Sequence, residues 1–141
     1  MSQALARQAF ETRLNTWALA QVPPIPVAFE NSPFTAPVGV YLRAFVLPAA
    51  GSLLDLGGTL EDTKGVYQVS IASPIDRGTK LAADIVASLK ALFAPSAVML
   101  APVASPLVRI WLLKPFGPAP AVQEPDRYVV PVSAPYECLA I

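Results

Sequence analysis

Residues 73–80, S-P-I-D-R-G-T-K, set a glycine, a threonine and a lysine between an alternating apolar segment and a helical pattern. Strand, glycine turn, lysine and helix start is a layout that cradles phosphate. Backbone N–H groups and the positive end of a helix dipole converge on an anion there. The residues do not support that chemistry. A phosphate loop opens on glycine, and here Ser73 stands in that place with Pro74 behind it, which has no N–H to donate. Thr79 and Lys80 come in the reverse of the required order, and Asp76 would set a carboxylate beside the anion. The stretch reads instead as an elbow. Gly78 supplies the turn, Thr79 caps a helix, and Lys80 points to solvent in an i,i+4 pair with Asp84.

Other reactive groups lack partners. Carboxylates at Asp55, Glu61, Asp62, Asp76, Asp84, Glu124, Asp126 and Glu137 show no metal-ligand spacing with histidine or cysteine. The chain has no histidine, the usual general base, so its hydroxyl and thiol groups lack the common activating partner. The single cysteine, Cys138, reads as a buried strand residue, and without an intrachain partner it suits a reducing compartment. Trp17, Tyr41, Phe45, Tyr67 and Trp111 lie at helix or strand spacing and read as core. The expectation is a protein that is not an enzyme and uses no cofactor or metal.

The elements that carry these residues follow from composition and period. The 141 residues suffice for one domain, over positions 1–141. Charged residues are 14% of the chain, against about 25% in an average soluble domain. Apolar groups must then occupy part of the surface, which points to association. Ten basic and ten acidic residues cancel without clustering, so no specific nucleic-acid partner is expected. The first 20 residues carry Arg7, Glu11 and Arg13 and do not read as a secretory signal. The most apolar window, 94–113, is broken by Pro95, Pro102 and Pro106 and charged by Arg109, so it reads as strands and not as a membrane span.

Ala6, Phe10, Leu14, Trp17 and Ala18 form one stripe of a helix over 2–18. Strands are expected at 26–31, 38–47, weakly at 53–56, and at 66–73. In the second of these, Tyr41, Arg43 and Phe45 share one face, and Val40, Leu42, Ala44 and Val46 the other. A second helix spans 79–93 on a stripe of Leu81, Ile85, Leu89 and Leu92, and Pro95 stops it. Two strands follow, near 97–103 and 106–114. Residues 115–126 form a proline-rich connection without regular structure. The last strand, 127–136, contains Pro131 and Pro135 and is expected at an edge or a bulge. The fold class is α+β, with two helices packed on a mainly antiparallel or mixed sheet.

The segments R-L-N-T-W-A, P-I-P-V-A-F-E-N-S-P-F-T-A-P, G-V-Y-L-R-A-F-V-L-P-A, K-G-V-Y-Q-V-S-I-A-S-P-I-D-R-G-T-K and Y-V-V-P-V-S-A-P-Y-E occur in this order. With them the chain, from about residue 6 to 136, resembles the tail-terminator-like proteins of long-tailed bacteriophages, related in fold to minor tail protein U. The resemblance implies a structural protein that caps the head-proximal end of the tail tube as a ring, commonly of six subunits. The ring would stop tube polymerisation and offer a surface for head joining. Implied partners are further copies of the chain, the tail tube protein and a head-completion or neck protein, in a virion tail assembled in the host cytoplasm. Candidate interface residues are Leu53, Leu54, Asp55, Leu56 and Glu61, with the proline-rich 115–126; the alternative is that those leucines pack on their own core. Two other functions remain open at this point: a different neck or head-tail connector protein, and a small ligand-binding domain.

Overall fold

The computed structural model describes residues 2–22, 24–35, 37–49, 52–53, 61–74, 80–94, 99–100, 108–125 and 127–140. Helix α1 (Ser2–Leu19) turns Ala6, Ala9, Phe10, Leu14 and Ala18 inward, each at most 5% exposed, while Trp17 is half-buried. Helix α2 (Lys80–Leu92) buries Ala82, Ile85 and Leu89. Its buried stripe is rotated from the expected one, since Leu81 is 41% exposed and Leu92 only half-buried. Both helices pack on the same face of one sheet, so the fold is α+β.

The strands are β1 (Val27–Phe29), β2 (Tyr41–Pro48), β3 (Ser52–Leu53), β4 (Glu61–Pro74), β5 (Met99–Leu100), β6 (Val108–Leu112), β7 (Gly117–Pro118), β8 (Val122–Gln123) and β9 (Arg127–Ala140). The sheet order is β1-β2-β4-β9-β6-β5, with β3 on β4 and β7 and β8 on β9. Only the β1–β2 pairing is parallel among the described strands. The sheet's spine is the antiparallel pair β4–β9, fourteen residues each, in register from Glu61↔Ala140 to Pro74↔Arg127.

Two expectations need correcting here. The last strand is central, with β4 on one side and β6, β7 and β8 on the other. Its prolines fit because their ring nitrogens face the broken side. Pro135 carbonyl accepts from Leu113 N–H and Pro131 carbonyl from Ala119 N–H, just beyond the ends of β6 and β7. In an antiparallel strand N–H and C=O of one residue point to the same neighbour. The missing N–H groups therefore fall where that neighbour leaves the ladder. The proline-rich connection, expected to be irregular, contributes β7 and β8 as short pairings along β9.

β4 begins earlier than the strand expected at 66–73, since the chain is already strand from Glu61 onward. Polar Thr63 and Lys64 hide it from pattern reading, and Gly65 has a packing reason to be there. Tyr136 lies directly opposite Gly65, and a Cβ on Gly65 would meet its hydroxyl at 2.7 Å. On the helix side of the sheet, Tyr67 and Tyr136 join Phe10, Phe93 and Phe116 in one aromatic centre. Phe10 stacks on Tyr67 at 4.3 Å between centroids and meets Tyr136 edge-on at 5.1 Å.

At the sheet's edge a side chain takes the role of a strand. β1 ends at Phe29, and Asn31, with φ of 54°, turns the chain away. The Glu30 carboxylate then accepts the Val46 N–H at 2.7 Å and the Arg7 guanidinium at 2.8 Å. Partial burial pushes the Glu30 carboxyl upward, but the two hydrogen bonds and the Arg7 charge outweigh it and hold the group below its ordinary value. A depressed carboxylate contributes stability above its unfolded pKa and loses it as pH falls through the folded value. Stability should therefore decline below about pH 4. Glu30→Gln should cost about 1 kcal/mol at neutral pH and flatten that acid limb, read by urea denaturation across pH.

Candidate interaction surface

The face of the sheet away from the helices carries no helix among the described residues. Alternation along β2 sends Leu42, Ala44 and Val46 into the core and leaves Arg43, Phe45 and Leu47 on the other side, in the expected division. Register extends the face through Val66 and Gln68 on β4, then Pro131, Ser133 and Pro135 on β9, and Trp111 on β6. Its middle is apolar, with Leu47 49% exposed and Phe45, Val66, Pro135 and Trp111 half-buried. Each end carries a polar cluster.

At one end Tyr41, 6% exposed, packs with Ala72 and Val129 in a small second core. Two guanidinium groups close on it: Arg43 at 5.4 Å and Arg127 at 5.1 Å from the ring centroid. Arg43 donates to the Tyr41 hydroxyl at 2.8 Å and to both Glu124 carboxylate oxygens at 3.3 Å. The Glu124 hydrogen bonds, then the Tyr41 hydroxyl, hold the Arg43 guanidinium above its ordinary pKa, so it stays charged. Arg127 donates to the carbonyls of Pro37, Val38 and Gly39. The start of β9 thereby fixes the segment entering β2, two strands away. Both guanidinium groups are engaged by protein acceptors, Arg43 by Tyr41 and Glu124 and Arg127 by backbone carbonyls, so the cluster works as a clamp.

At the other end Asp62, on β4, is 6% exposed. Its Oδ2 lies 3.9 Å from Lys64 Nζ. The neighbouring Glu137 is held above its ordinary value by a hydrogen bond to Asp62, then by partial burial and by the Asp62 charge. A protonated Glu137 donates to Asp62, and once both ionise they repel. An acid whose folded pKa is raised loses stability as pH climbs from its unfolded value through the folded one. Glu137→Gln should raise the melting temperature near pH 7 and change it little below about pH 4, as thermal melts at the two pH values would show.

The sequence-based candidates are scattered relative to this face. Leu53 and Glu61 are brought together as register partners of β3 and β4. Leu54, Asp55 and Leu56 lie outside the described residues, as do Gly78 and Thr79 of the elbow. Lys80 begins α2 with its side chain 89% exposed and pairs with Asp84 at 2.9 Å, as expected. Cys138 is buried on β9, as expected. Pattern reading did not reach the Tyr41–Arg43–Glu124–Arg127 clamp, because its parts lie some 80 positions apart; only the shared strand face of Tyr41 and Arg43 hinted at it. No helix among the described residues is long and apolar enough to cross a membrane.

No curated protein matches the chain. One solved structure, of a protein whose name states no function, is 39% identical to it. The likeness covers 98% of this chain and 96% of that one, with a TM-score of 0.80. A family model described as phage tail terminator protein matches residues 6–136, nearly the whole α1-to-β9 sheet assembly. The chain belongs to the phage tail terminator family.

Proposed function

We propose that this chain caps the head-proximal end of the tail tube as a ring of six copies, ending tube polymerisation and presenting a platform for head joining. The observation that carries the reading is the family match over residues 6–136, which makes the protein a structural component of a phage tail. Low charge and a half-exposed apolar sheet face support it, because a ring subunit needs apolar contact surface. Its partners on this reading are its own copies, the tail tube protein and a head-completion or neck protein. It performs no catalysis and needs no cofactor, membrane or specific nucleic acid, and it assembles in the host cytoplasm.

The test is tube growth in vitro. Purified tail tube protein is allowed to polymerise with and without this chain, and tube ends are viewed by negative-stain microscopy. The reading expects capped ends and arrested growth at substoichiometric amounts. Unchanged growth together with binding to portal or neck protein alone would favour a connector role instead.

A further inference from the structure

We infer that the apolar groove beside α2 receives the proline-rich β7–β8 segment, extended along β9, of a second copy of this chain; the inference rests on the ring reading above. The groove has a volume of about 420 Å³. It runs between the end of α1, residues 24–26, the segment entering β2, and one flank of α2. Trp17, Ile25, Val40, Leu81 and Ile85 line it, with Ser88. Around it stand apolar side chains that water contacts heavily: Val22 is 98% exposed, Val38 94% and Leu81 41%. A cluster of this kind is costly on an isolated subunit and fits an interaction site.

The occupant is argued from the other flank of the same helix. Residues 117–123, G-P-A-P-A-V-Q, are all exposed, with Val122 at 54%. Pro118 lines a smaller recess against Ala83 and Val86 of α2, on the side away from the groove. Groove and proline-rich segment thus sit on opposite flanks of α2. A contact from one to the other joins copies head to tail, the arrangement that closes into a ring.

The two surfaces also match chemically. Prolines at 118 and 120 and the pairing with β9 hold the segment extended, so little conformational freedom is lost on docking. Extended proline-rich segments dock on aromatic grooves whose donors reach their carbonyls. Trp17 supplies the aromatic surface and an indole N–H, and Ser88 a hydroxyl. Charge raises no obstacle. Residues 117–123 carry none, and the groove's Asp84 is already paired with Lys80 at 2.9 Å.

The experiment uses the full chain with cysteines at Ala121→Cys or Ser88→Cys, both exposed positions, oxidised with and without tail tube protein present. Mixing the two variants should yield a disulfide-linked dimer that neither forms alone, and the double variant should give covalently closed oligomers. Val122→Asp should weaken self-association about tenfold while leaving the circular dichroism spectrum unchanged. The inference falls if the mixture stays unlinked while light scattering shows the chains associated; the ring reading would then survive with other contacts. It also falls if Ser88→Cys links to itself, which means groove-to-groove pairing, or to the tube protein. Chains that never associate, in solution or at tube ends, would overturn both readings.

Discussion

Gly65→Ala should lower stability by about 3 kcal/mol, a drop of roughly 10 °C in melting temperature for a chain of this size. Gly65 sits in β4, between β2 and β9, where a Cβ would stand 2.6 Å from the Leu47 carbonyl oxygen. It would also lie 2.7 Å and 2.8 Å from the Tyr136 hydroxyl and ring carbon. The ring could shift only by disturbing its edge contact with Phe10, and the carbonyl belongs to backbone held in the β2–β4 ladder. Trimming the ring with Tyr136→Leu should therefore restore at most part of the loss. Full recovery in that double variant would show that the strand backbone tolerates a side chain here. Thermal melts of the three proteins decide the matter.

Phe10→Ala should be the more damaging change, at about 3–5 kcal/mol. The ring is fully buried and is shared by three aromatic neighbours: Tyr67 at 4.3 Å, Tyr136 at 5.1 Å and Phe93 at 5.9 Å. Removing it empties the middle of the contact between α1 and the β4–β9 spine, where rigid rings collapse poorly into a void. Against a typical total of 5–15 kcal/mol, such a loss leaves a marginal fold. Tyr67→Phe provides the contrast. The Tyr67 hydroxyl is buried and makes no hydrogen bond among the described residues, and burial drives its pKa upward. Deleting that oxygen removes an uncompensated polar group and should leave stability equal or higher. Guanidinium denaturation should rank Tyr67→Phe at or above the parent and Phe10→Ala far below it. A loss under about 1 kcal/mol for Phe10→Ala would mean that α1 is not anchored through this ring.

The parts of this architecture that were legible in the sequence are those fixed by local period. The α1 stripe was readable because alanines, Phe10 and Leu14 recur with the helical repeat, and the two faces of β2 because polar and apolar residues alternate there. The rotated stripe of α2 was not, since Leu81 and Ala82 are both apolar and only packing decides which one turns inward. The centrality of β9 was hidden for a different reason. Pro131 and Pro135 forbid an uninterrupted neighbour on one side, but a neighbour built from three short strands satisfies that constraint as well as an edge does. The clamp around Tyr41 joins residues from β2, the end of β8 and the start of β9, and spacing carries no trace of it. The face opposite the helices likewise emerges only from register, which brings Phe45, Val66, Pro135 and Trp111 onto one side.

The central claim is that this chain ends the growing tail. Inactivating its gene in the phage that encodes it, and measuring tail lengths in the lysate by electron microscopy, tests this most directly. The account predicts tubes that run past their normal length and heads left unjoined, with both defects repaired when the chain is supplied in trans. Tails of normal length, joined to heads in the absence of this chain, would contradict it.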